Sequence, residues 1–140
     1  MTGHPTTTSP HPEPCADCVQ EEWQTAEPGP AGGLRWYAQH HCPRHDVLSC
    51  DRGRGVPPRW VRDRIAASEG TVRLTVGGRD GIPVALLRRV YALGLAELTT
   101  ARAEGWWATP VEARFLVERA GVEGARRAAR GRGGRSPGSG

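Results

Sequence analysis

Residues 15–45 read CADCVQEEWQTAEPGPAGGLRWYAQHHCPRH, and the two ends of that stretch decide how this part of the chain folds. Two residues separate Cys15 from Cys18, two separate Cys42 from His45, and 23 lie between the pairs. A two-residue gap lets both side chains of a pair reach one ion from a tight turn, and two such turns supply four tetrahedral ligands. Pro43 favours the second turn. Working back from it, Leu34, Trp36 and Ala38 share one parity while Arg35, Tyr37 and Gln39 share the other, the alternation of a strand. The breaker run Glu27–Gly33 separates that strand from the first pair.

Through Cys15, Cys18, Cys42 and His45 the stretch resembles a zinc ribbon or related zinc-knuckle module, over about a quarter of the chain. The resemblance implies one structural Zn2+ on those four residues. His41 and Cys50 are close enough in sequence to substitute for Cys42 or His45, and so is His40. Iron or an iron–sulfur cluster is the other occupant of thiolate-rich sites, although clusters usually take four cysteines. The run from the first Cys pair through His40-His41 to Cys50-Asp51-Arg52 also resembles zinc-bearing HNH endonucleases. That would make His41 a base activating water beside a metal. Gln39 and His40 stand where such enzymes carry Asp, however, and the chain has no Asn.

The chain has 140 residues and 37% hydrophobic content, enough for one modest core. A bound metal often supplements a core of this size. The expected architecture is α+β: a small N-terminal zinc-ribbon-like module, then a short strand and about three helices. Residues 1–12 are too polar to join it, 13–52 form the module, 53–122 a mainly helical domain, and 123–140 a basic flexible tail. No apolar run approaches the ~20 residues that cross a bilayer. The start also lacks the basic and apolar regions of a signal peptide. A cytoplasmic protein without a membrane partner is therefore expected, in which four cysteines serve as ligands or thiols rather than disulfides.

All 19 basic residues are arginine, and Lys and Asn are absent. A GC-rich bacterial genome explains that choice, so arginine content alone is not selection for phosphate. The distribution is more telling. Residues 1–52 carry a net charge of −4, residues 53–122 one of +4, and residues 123–140 another +4. Such segregation marks an anion-binding face and a basic tail.

In the second half, Pro57-Pro58 opens a helix that Gly70 ends, and Thr71–Val76 alternates as a strand with Val72, Leu74 and Val76 inward. A long helix is expected from Asp80, as a cap, to about Glu104, with Val84, Leu87, Tyr91, Leu95 and Leu98 on one stripe. Thr109-Pro110-Val111-Glu112 has the form of a capping box and starts a helix that Gly121 ends. Leu116–Val122 followed by Glu123–Arg130 resembles a helix-turn-helix core, which would set Arg126, Arg127 and Arg130 against phosphates or guanine edges. Gly124 weakens the second helix and Arg127 replaces its aliphatic docking residue, which favours a capped final helix with an Arg-rich tail.

Two adjacent indoles, Trp106 and Trp107, cannot easily both be buried, so one should be exposed. The leading functional expectation is a non-enzymatic, DNA- or RNA-associated zinc protein and potential regulator. Arg88, Arg89, Arg114, Arg126, Arg127, Arg130 and Trp107 would face nucleic acid. The rival is an adaptor for a protein partner or second copy, docking through the long helix. An HNH-like metal-dependent nuclease is third.

Overall fold

The alternating stretch from Leu34 becomes the central strand of a three-stranded antiparallel meander of β1 (Val19–Ala26), β2 (Leu34–Cys42) and β3 (Val47–Arg54). The computed structural model describes residues 16–29 and 31–134, with side chains through residue 125. The expectations for residues 1–12 and 135–140, and for Cys15, fall outside them. The sheet continues into α1 (Arg59–Glu69), β4 (Val72–Leu74), α2 (Val84–Tyr91), α3 (Leu95–Glu104), β5 (Trp106–Ala108) and α4 (Pro110–Gly134). The fold is α+β. No helix among the described residues is long and apolar enough to cross a membrane.

One sheet face is covered. Leu34, Ala38, His40 and Cys42 are buried along β2, while the residues between them are not. Val61 and Ile65 of α1 pack on Ala38, with Trp36 and Trp60 at the edge. Gly53 of β3 is required here, because a Cβ would come within 2.7 Å of the Trp36 indole nitrogen. A second core joins Leu86 and Leu87 of α2, Leu98 and Ala101 of α3, Ala108 of β5 and Leu116 of α4. β4 and β5 pair antiparallel beside it.

The helix expected over residues 80–104 is two helices. Ala92 takes a left-handed φ of 53°, and Gly94 donates its N–H to Glu97 Oε1 at 3.0 Å to start α3. The bend costs about 1–2 kcal/mol at Ala92, but it turns Leu93 and Leu98 into the same core as Leu87. Leu95, expected on the buried stripe, is 83% exposed. The cap position of α2 is Pro83, not Asp80. Of the expected strand Thr71–Val76 only Val72–Leu74 forms a ladder, and Val72 is exposed.

The stop expected at Gly121 is also absent, and with it the turn of a helix-turn-helix. One glycine costs a helix about 1 kcal/mol. Arg89 of α2 is ion-paired with Glu123, two residues beyond Gly121, which holds the next turn helical. Expected and observed agree at α1, ended by Gly70, and at the Thr109 cap of α4.

The two cores meet at Glu112, which is fully buried. Its carboxylate accepts Arg62 Nε at 3.0 and 3.1 Å, Arg62 Nη2 at 2.8 Å, Tyr91 Oη–H at 2.7 Å and Gln24 Nε2 at 2.6 Å. It also closes the capping box: the Thr109 N–H donates to it at 3.3 Å, and the Glu112 N–H donates to Thr109 Oγ1 at 3.2 Å. Thr109 Oγ1 donates on to Gln24 Oε1 at 2.5 Å, and Arg62 Nη2 donates to the Trp107 carbonyl at 2.7 Å. Burial pushes the Glu112 carboxyl up, but the hydrogen bonds and charge of Arg62 outweigh it and leave it below the ordinary 4.5. Burial and the Glu112 charge push the Tyr91 phenol up, so it stays a donor.

Glu112→Ala should destabilise the protein by about 3–5 kcal/mol in urea unfolding, since partly buried Arg62 loses its counter-charge and Tyr91 and Gln24 lose their acceptor. A depressed carboxyl stabilises the fold above its unfolded value, and that stability drains away as pH falls through the folded value. Glu112→Gln should therefore show a shallower acid limb of stability than the wild type between roughly pH 5 and 2.

Candidate metal centre and nucleic-acid interface

The second ligand pair sits in the hairpin turn of β2 and β3. Cys42 pairs with Val47, leaving residues 43–46 to close the turn. Asp46 takes φ 53° there, which a short polar side chain tolerates. The turn folds His45 back, so that Cys42 Sγ lies 3.1 Å from His45 Nδ1. Val19 opens β1 opposite His41, so Cys18 stands just before that strand at the same end of the sheet as Cys42. Cys18, Cys42 and Cys50 form no disulfide with one another.

Strand alternation sorts the substitutes. His41 and Cys50 lie on the face opposite Cys42, with His41 across from Leu48 and Cys50 accepting the Tyr37 hydroxyl at 3.3 Å. His40 shares the Cys42 face. It is 2% exposed, and neither ring nitrogen has a hydrogen-bond partner. Buried polar atoms are nearly always partnered, so an orphaned imidazole next to a thiol–imidazole pair is a donor without a use. Sulfur and imidazole are donor types that zinc accepts, and Cys42 and His45 are the two that the turn brings together. Among the described residues no three His, Cys, Asp or Glu side chains converge on one point. Cys15, the remaining ligand of the pattern, lies outside them.

The other sheet face is open. Cross-strand registers align Trp23, Tyr37 and Arg52 in one row and Thr25, Arg35 and Arg54 in the next. Trp23 and Tyr37 stack with ring centroids 4.3 Å apart and planes 20° apart, and Trp23 is 41% exposed. Together with the three arginines they line a groove of about 380 Å³. Arg35 is held by Glu27 at 3.0 Å. Neither Arg52 nor Arg54 is ion-paired among the described residues.

This face was not legible beforehand. The alternation Val19, Glu21, Trp23, Thr25 against Gln20, Glu22, Gln24 puts polar residues on both sides, so no apolar period announces β1. Gln24 is nonetheless buried, because Glu112 and Thr109 satisfy its amide.

The residues expected to face nucleic acid are spread over the second half. Arg88 is exposed on α2 and Arg89 is engaged by Glu123. Arg114 is exposed on α4 and lines a groove with Phe115 and Glu118. Trp107 is 56% exposed, while Trp106 packs on Tyr91 at 4.7 Å. Trp107 lines a separate groove with Thr100 and Glu104. Arg126, Arg127 and Arg130 lie along α4, with side chains outside the described ones. The chain matches no family model, no curated protein and no solved structure.

Cys50 is exposed and Cys42 is buried, so an aromatic disulfide reagent should modify Cys50 faster than Cys42. Cys50→Ser should remove one fast-reacting thiol and leave the Cys42 phase unchanged in stopped-flow absorbance.

Proposed function

We propose that this is a non-enzymatic, zinc-containing protein that associates with nucleic acid in the cytoplasm, in a regulatory rather than a chemical role. The observation that carries the reading is the open sheet face, where Arg35, Arg52 and Arg54 crowd together and the last two have no ion pair among the described residues. Crowded cations that outnumber the carboxylates beside them favour a polyanion over a neutral ligand.

Cys15, Cys18, Cys42 and His45 would hold the zinc ion, which would supply a cross-link between two parts of the chain. Its support is the Cys42–His45 approach and the orphaned His40 beside it.

A second reading keeps one specific observation: the groove of about 440 Å³ between α3 and β5, lined by Ala96, Thr100, Trp106 and Trp107. An apolar partner docking there would make the protein an adaptor. The wide single-helix stripe that first suggested this is broken at Ala92. The nuclease reading needs His41 beside the metal, and alternation directs it to the opposite face from Cys42.

Elemental analysis of the purified chain should find about one zinc, and Cys42→Ala should lose it, with chelation melting the β2–β3 end in amide exchange. Metal-free protein with unchanged exchange would sink the zinc reading. Fluorescence anisotropy with mixed-sequence oligonucleotides should show affinity falling with salt, at a log–log slope of about −0.7 to −0.9 per phosphate contacted. Salt-indifferent binding to a protein partner, with none to nucleic acid, would favour the adaptor.

A further inference from the structure

We infer that the open face of the β1–β2–β3 sheet is a stacking platform for single-stranded nucleic acid, in which Trp23 and Tyr37 receive an unpaired base and Arg35, Arg52 and Arg54 receive the flanking phosphates. The inference rests on the nucleic-acid reading above and gives it a site and a strand state.

The aromatic pair supplies the first argument. Trp23 belongs to an edge strand and is 41% exposed, although an indole of that size would ordinarily be drawn toward a core. It is held on the surface by its own register: Gln24, the next residue, is buried in the Glu112 network, so Trp23 must point the other way. Stacking on Tyr37 fixes the indole in one orientation. The result is an ordered π surface whose presentation to solvent costs little further ordering on binding.

Charge supplies the second argument. Arg52 follows Tyr37 in the same cross-strand row, and Arg35 and Arg54 occupy the row beside it. Facing carboxylates are few: Glu21 lies one row toward the hairpin turn, and Glu27 is committed to Arg35. Bases are needed for the rings and phosphates for the guanidinium groups, and one strand of nucleic acid offers both at alternating positions. A duplex hides its base faces within its own stack, leaving only the phosphates to bind. Arg52 and Arg54 stand in different rows and neither is ion-paired among the described residues, a spread that suits the successive phosphates of a polymer.

The test uses the full-length, metal-loaded protein, with fluorescein-labelled oligothymidylate, oligouridylate and a duplex of equal length, by anisotropy over a salt series. Single strands of either sugar should bind more tightly than duplex. Trp23→Ala should weaken single-strand binding by roughly 5- to 150-fold, the equivalent of ~1–3 kcal/mol for one stacked base. Trp23→Phe should retain most of it. Arg52→Gln and Arg54→Gln should each lower the salt slope by about 0.7. Circular dichroism and metal content read alongside confirm that each variant is folded. Equal binding of duplex and single strand, unaffected by Trp23→Ala or Arg52→Gln, overturns the platform while leaving nucleic-acid association elsewhere on the protein intact. Thymidine monophosphate binding as tightly as the oligomer overturns the polymer as occupant. No binding of any oligonucleotide overturns the platform and the reading beneath it together.

Discussion

A single buried carboxylate holds the architecture together. Glu112 accepts donors from β1, α1 and α2, and its own helix cap completes the set. An ionised carboxylate has about four lone-pair sites, and all are used, which is the condition for such a charge to be buried at all. The pair with Arg62 is bidentate, the geometry a guanidinium matches best. Arg62 then reaches the Trp107 carbonyl and lies over the Tyr91 and Trp106 rings at 5.3 and 5.6 Å. Apolar residues of equal volume could stabilise the interior as much. They could not specify which five segments meet, because dispersion has no direction while each hydrogen bond here names its partner.

What could be read in advance follows from how far each signal reaches along the chain. The caps at Thr109 and Gly70 were legible, because a cap is decided within four residues. So was the strand leading to Cys42, where an apolar face alternates with a polar one. The break at Ala92 was not, since Gly94 is the single local helix-weakening residue there and one glycine does not by itself end a helix; Leu93 joins the core of Leu87, Leu98 and Leu116 where the chain bends. Gly121 misled in the opposite direction, because its local penalty is smaller than the tertiary hold of Arg89 on Glu123. Local propensity decided these elements only where no tertiary contact opposed it.

The candidate sites divide in the same way. Ligand spacing singled out Cys42 and His45, and the turn brings their side chains to 3.1 Å, since a two-residue gap is a local constraint. The choice between His40 and His41 needed the strand parity of β2, and only burial tells which face is covered. The arginines on the sheet were invisible as a group: Arg35, Arg52 and Arg54 are far apart in sequence and adjacent only through the register of β2 and β3. Glu112 looked like an ordinary capping-box residue, and nothing local marks its bonds to Gln24 and Arg62, 88 and 50 residues away.

These observations connect stability to function along one strand. β1 has little apolar sequence of its own, and its inward residues Gln20, Glu22 and Gln24 bury poorly without partners. Arg64 takes Glu22 at 2.7 Å, and Glu112 with Thr109 takes Gln24. Polar contacts therefore fix the register of an edge strand that the hydrophobic effect would leave free to slip, and a slip of one residue would exchange its two faces. Trp23 would then turn inward and the stack on Tyr37 would be lost. The hairpin end, with Cys42 and His45, restrains the other end of the same sheet. The open aromatic face lies between the two anchors, and its order is a consequence of both.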